Sequence, residues 1–191
     1  MKRSAAVLVL ALAAALSLLV PPAHAAALAG VQLPDTLKVG DHDLALNGLG
    51  LRTKYLFKVY VGALYLPAKS GDAAKILAAD EPRRMELHFL RGLSPAQICE
   101  GWDEGLAANR PGAGADLKAK FAELCKAMQA VEDGQTLALT YNPAEGTKIE
   151  FGSTGKGTIA GKEFADALLA CWIGDKPGPG QDFKKAVLGG S

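Results

Sequence analysis

"LNGLGLRTKYLFKVYVGALYL", residues 46–66, sets two glycines two apart and a single arginine ahead of a long apolar, aromatic-rich run. The run is rich in β-branched and aromatic residues, which predicts a strand from about Lys54 to Leu66. If period two extends back to Arg52, one face carries Arg52, Leu56, Lys58, Tyr60, Gly62, Leu64 and Leu66. The other carries Tyr55, Phe57, Val59, Val61, Ala63 and Tyr65. Both faces are mainly apolar, so the strand is expected to be central and covered on both sides. A guanidinium, an ammonium and a phenol then share one of those faces. Buried charges need partners, because an unpaired one costs several kcal/mol. Two readings of Arg52 follow: it reaches solvent or a local carboxylate, or it grips a ligand's anion beside Tyr60.

The flanking pattern alternates strands and helices without a βαβ repeat. "VQLP", "TLKVG" and "LALNG" read as strands, the last two forming a hairpin about Gly40–Asp43. Asp72 caps a short helix over "DAAKILAA". In "RMELHFL", Met85, Leu87 and Phe89 alternate with Glu86 and His88, the signature of a half-buried antiparallel strand. Ser94, Pro95 and Gln97 form a capping box ahead of a helix with Ile98, Trp102 and Leu106 on one stripe. A second helix is predicted over "DLKAKFAELCKAMQAV", buried through Leu117, Phe121, Leu124, Met128 and Val131. Strands return in "TLALTY", "TKIEF" and "GTIAG", with turns at Asn142–Pro143 and Ser153–Lys156. The helix "KEFADALLACWIG" and a small one about "FKKAVL" close the chain. The expected class is α+β: a large antiparallel sheet covered on one face by a helical layer.

The N-terminus has a positive start (Lys2, Arg3), an apolar run from Ala5 to Val20, Pro21–Pro22 and the small-x-small site Ala23-His24-Ala25. It reads as a signal peptide over residues 1–25, shorter than a membrane span, leaving one domain over residues 26–191. Export into the periplasm of a Gram-negative cell is the expectation, with no stable membrane insertion afterwards. Without Lys2 and Arg3 the chain carries one fewer base than its 20 acids, no electrostatic footprint for nucleic acid. Three cysteines remain, Cys99, Cys125 and Cys171. A domain of this size needs no staples, so three buried free thiols are expected; the alternative is a disulfide between Cys99 and Cys125, both of which fall on predicted helices.

Motifs for common chemistries fail on inspection. Gly48-Leu49-Gly50 lacks the third glycine, Thr53 standing in its place, and leads into a strand rather than the helix that holds a pyrophosphate. "GSTGKGT" (residues 152–158) has Gly157 after its lysine and Glu150 at the first glycine position of a phosphate loop, so it reads as a hairpin turn. His42 and His88 have no ligand-spaced companion, so neither a metal nor a cofactor is expected.

Four stretches taken together, "GLGLR", "KVYVGALYL", "LHFLRGLSPAQI" and "GKEFADALLACWIGDKP", resemble the chalcone isomerase-like family in its bacterial exported branch. The resemblance implies an open-faced β-sandwich with a ligand cleft between sheet and helices, lined by the helices of Trp102 and Trp172. Family enzymes close a chalcone into a flavanone, and their arginine at the "Gly-x-Arg" entry, matched by Arg52, binds the phenolate. Four polar partners differ: Tyr60 stands at a threonine, Ile98 at the catalytic tyrosine, Gly105 at an asparagine and Cys171 at a serine or threonine. Losing the hydroxyl and the amide removes much of the electrostatic stabilisation such catalysis uses. The non-catalytic branch binds fatty acids, its arginine taking the carboxylate beside a tyrosine and a threonine. The resemblance therefore implies a binder of a small amphipathic carboxylate through Arg52, Tyr60, Lys58, Ile98, Trp102, Gly105 and Cys171. The alternatives are an isomerase on a phenolic or enone substrate, with Arg52 and Tyr60 as its working groups, and an assembly factor that holds a partner's peptide.

Overall fold

A computed structural model describes residues 25–190. The signal-peptide reading thus falls almost wholly outside the described residues. Seven strands form one antiparallel sheet in chain order: β3 (Thr36–Val39), β4 (His42–Lys54), β5 (Phe57–Leu66), β6 (Arg83–Phe89), β7 (Thr136–Asn142), β8 (Gly146–Phe151) and β9 (Thr154–Ile159). A separate hairpin pairs β1 (Ala25–Leu28) with β2 (Val31–Pro34). The helices are α1 (Ala73–Ala78), α2 (Pro95–Asn109), α3 (Ala115–Lys126), α4 (Lys162–Ile173) and α5 (Gln181–Val187). None is long and apolar enough to cross a membrane. The α+β expectation holds, with the helices gathered over one face of the sheet.

The long strand expected from Lys54 to Leu66 is instead the second arm of a hairpin. β4 runs on to Lys54, and Tyr55 and Leu56 turn the chain so that Lys54 faces Phe57. Tyr55 takes φ +56°, a left-handed conformation usually given to glycine or asparagine, so the sequence carries no turn residue to announce it. Further along, a bulge places both Val59 and Tyr60 on the register step between Arg52 and Thr53. Inserting one residue exchanges the faces of everything beyond it. Phe57 and Val59 thereby join Tyr60 on the helix side, while Lys58 pairs with Thr53 and leaves it. Arg52 and Tyr60 do share a face, as cross-strand partners rather than members of one strand.

Both sides of β5 are covered. Tyr60, Leu64 and Leu66 enter the core beneath the helices, together with Met85, Leu87 and Phe89 of β6. Val61, Ala63 and Tyr65 enter a second cluster under the β1–β2 hairpin with Leu33, and the Tyr65 hydroxyl donates to the Pro34 carbonyl at 3.1 Å. Farther along that outer face, Glu86 accepts from Arg84 and His88, each at 2.7 Å.

The glycines of residues 46–66 form the seat of the last helix. A β-carbon on Gly50 or Gly62 would lie 2.7 or 2.6 Å from the Phe183 ring of α5, inside any real contact. Asn47, set out of register by another bulge, donates to the Val187 carbonyl at 2.8 Å and fixes the end of that helix. Three further expectations need correction. Cys99 and Cys125 are not free: they form a disulfide joining α2 to α3, their Cα atoms 5.5 Å apart, while Cys171 alone is a buried thiol. Helix α3 stops at Lys126, and Val131, beyond it, bridges to Leu93 as extended chain. The β8–β9 turn is confined to Gly152 and Ser153, with Gly152 at φ +57°.

Candidate functional site

Where β4, β5 and the end of β6 pass beneath α2 and α4, the layers part around a cavity of about 430 Å³. Its walls are apolar side chains of the sheet (Val59, Leu87, Phe89) and of the helices (Ile98, Trp102). Both origins are patterned in sequence, by the alternation of β6 and by the four-residue stripe of α2. Polar groups also line it: Arg52, Tyr60, Lys54, Arg91 and Glu100.

Tyr60 is the fixed point. Its ring packs edge-on against Phe89 and Phe183, with centroids 6.1 and 5.9 Å away. Its hydroxyl accepts a 2.9 Å hydrogen bond from Nε1 of Trp172. An indole N–H can only donate, so it commits the phenol oxygen as acceptor and leaves the phenol proton for a further partner. Burial pushes the phenol up to about 12, against the opposing pull of the Arg52 charge and the Trp172 N–H, so at neutral pH it remains a neutral donor.

Arg52 reaches over the same ring, its Cζ 5.9 Å from the Tyr60 centroid. It is half-buried, and no carboxylate pairs with it among the described residues. By contrast, the buried Arg83 donates to Asp166 and to the Ile76 and Ala79 carbonyls, the full accommodation a structural arginine receives. A half-buried guanidinium without a counter-ion, beside a neutral O–H donor, presents paired donors and one positive charge to an incoming anion. A carboxylate, acceptor at both oxygens, is the complementary group.

Of the residues singled out from sequence, Arg52, Tyr60, Ile98, Trp102 and Cys171 line this cavity together. Lys58 and Gly105 do not. Lys58 was turned outward by the bulge at Val59 and is exposed. Gly105 packs α2 on α4: a β-carbon there would lie 2.6 Å from Cys171 Sγ. Cys171 itself is held as a thiol, pushed up to about 12 by burial, with Sγ donating to the Ala167 carbonyl at 3.5 Å. Sequence reasoning passed over Phe57 and Arg91, whose guanidinium stacks on the Phe57 ring at 4.8 Å. Neither carried a signal: Phe57 changes face only because of the bulge, and Arg91 sits in a loop.

The sequence matches the model of the chalcone isomerase-like family over residues 25–189. Among solved structures, it is similar to the crystal structure of a fatty-acid binding protein of Arabidopsis thaliana, with TM-score 0.68 and 16% identity. That likeness covers 87% of this chain and 96% of the plant protein, and at such identity it is a likeness of fold. A comparison with curated protein sequences gives no match.

Proposed function

The chain belongs to the chalcone isomerase-like family, and from that premise we propose that it is a non-catalytic, exported binder of a small amphipathic carboxylate such as a fatty acid. The observation that carries this reading is the unpaired Arg52 beside the donor phenol of Tyr60, both lining a cavity walled by Val59, Phe89, Ile98 and Trp102. The carboxylate pairs with the guanidinium and accepts a hydrogen bond from the Tyr60 hydroxyl, and the chain lies along the apolar walls. Burial of the tail supplies most of the affinity, while the ion pair sets orientation and selects an acid over an alcohol or ester. The plant protein of similar fold, described as fatty-acid binding, supports the ligand class. The leader pattern at residues 1–25 supports a periplasmic location.

Where the enzymes of the family place hydroxyl and amide groups, this cavity presents the Ile98 side chain, and Gly105 contributes nothing to its wall. A binder needs neither. The test is extraction and mass spectrometry of protein purified from its producing cell. A co-purifying fatty acid that is depleted in Arg52→Ala is expected. Ligand-free protein without affinity for any fatty acid, or catalysed loss of chalcone absorbance, would overturn the reading.

A further inference from the structure

Among the described residues four two-residue turns join strands, and three of them use only small or polar residues. Gly40-Asp41 and Gly152-Ser153 give the positive φ to glycine, and Ala29-Gly30 sets its glycine beside Ala29, a small residue itself at φ +51°. The β4–β5 turn instead holds Tyr55 at φ +56° and follows it with Leu56. These two and the adjoining Phe57 are the exposed large apolar side chains of the described residues, at 89%, 97% and 59% exposure. Lone exposed apolar residues are ordinary, but three in succession at a projecting tip are not. Lys54 and Lys58 bracket them, Arg91 stacks on Phe57, and all three cations are exposed and without an ion-pair partner among the described residues. The tip also borders the cavity, which Lys54, Tyr55, Phe57 and Arg91 help to line.

We propose that the Lys54–Lys58 tip docks on the surface of a bilayer containing anionic phospholipid, with Tyr55, Leu56 and Phe57 entering the headgroup boundary and Lys54, Lys58 and Arg91 meeting lipid phosphates. Aromatic side chains favour that boundary, and a basic rim around an apolar tip matches a surface that is negative outside and apolar beneath. A dry protein partner would have to leave these cations unpaired or supply acids in the same geometry. The proposal deepens the reading of the cavity as a fatty-acid site and rests on it for what the contact delivers. Docking sets the cavity mouth against the membrane, so an acyl chain passes between bilayer and cavity without crossing open water.

The test is flotation of the full protein with vesicles of phosphatidylcholine, with and without phosphatidylglycerol. Binding to the anionic vesicles is expected, with loss in about 1 M salt, where the screening length is about 3 Å. Leu56 and Lys58 do not line the cavity, so Leu56→Asp and Lys58→Glu separate docking from ligand binding. Leu56→Asp should weaken vesicle binding at least about tenfold, and Lys58→Glu at least about fivefold. Fatty-acid affinity in solution should be unchanged in both. A protein that binds fatty acid but ignores anionic vesicles overturns the docking alone, as does a Leu56→Asp variant that binds them like wild type. A wild-type dimer in solution, made monomeric by Leu56→Asp and indifferent to vesicles, would assign the tip to a second copy of this chain and overturn the proposal too.

Discussion

Replacing Tyr60 by phenylalanine removes one oxygen that serves two partners, so binding and stability should fall together for separable reasons. On the ligand side, the lost phenol donor is a hydrogen bond to a charged group, about 2 kcal/mol or roughly thirtyfold in Kd. On the protein side, the Nε1–H of Trp172, a residue only 3% exposed, is left without its acceptor. Such an orphan costs about 1–3 kcal/mol, a fall of several degrees in Tm for a domain of this size. Trp172→Phe breaks the same 2.9 Å bond from the other end and leaves the phenol proton in place. Its fatty-acid affinity should therefore fall far less than that of Tyr60→Phe. In the double variant no donor is orphaned, and the two stability losses should sum to more than the double loses. Displacement of a fluorescent fatty acid and thermal unfolding followed by circular dichroism give both quantities on the same samples. If Tyr60→Phe binds like wild type, or if Trp172→Phe loses as much affinity as Tyr60→Phe, the phenol is not the ligand's donor and the reasoning fails.

Other outcomes follow from the packing and the charges. Gly62→Ala should destabilise by about 1–3 kcal/mol, because its methyl enters the Phe183 ring, and Phe183→Leu should recover part of that loss in urea melts. Reduction of Cys99–Cys125, which closes a 26-residue separation, should cost about 3 kcal/mol, while Cys171 stays unreactive toward a thiol reagent until the protein unfolds. Fatty-acid affinity should be flat through neutral pH and decline below about pH 5, as the ligand's own carboxyl protonates and Arg52 loses its anion. The folded pKa of Tyr60 is raised from 10.0 to about 12, so folding favours the neutral phenol. Its contribution to stability is present below pH 10 and fades as the pH rises through 12, a loss that alkaline unfolding of Tyr60→Phe should show in smaller measure.

The sheet was legible in the sequence wherever burial follows period two without interruption, as in Met85, Leu87 and Phe89, and the α2 start was legible in its capping box. What escaped reading was the geometry of residues 46–66. Nothing in Lys-Tyr-Leu-Phe-Lys signals a turn, because Tyr55 occupies a conformation that turn chemistry usually gives to glycine. The bulge at Val59 has no side-chain signature, yet it decides that Phe57 rather than Lys58 faces the cavity. Arg52 and Tyr60 emerged as a pair from the assumption of one continuous strand, and hairpin pairing delivers the same shared face by a different route. The Cys99–Cys125 bridge and the close contact of Gly105 with Cys171 depend on how α2 meets α3 and α4, which no local pattern encodes.

The central claim is that a ligand's carboxylate sits on Arg52, and a fatty acid labelled with ¹³C at its carboxyl carbon reports on that contact alone. Bound to the wild-type protein, the labelled carboxyl should titrate below the usual aliphatic range of about 4–5, held ionised by the guanidinium. In Arg52→Ala the remaining bound label should titrate higher, in or above that range. A bound carboxyl that titrates like the free acid, or identically in wild type and Arg52→Ala, would place the head group elsewhere and contradict the account.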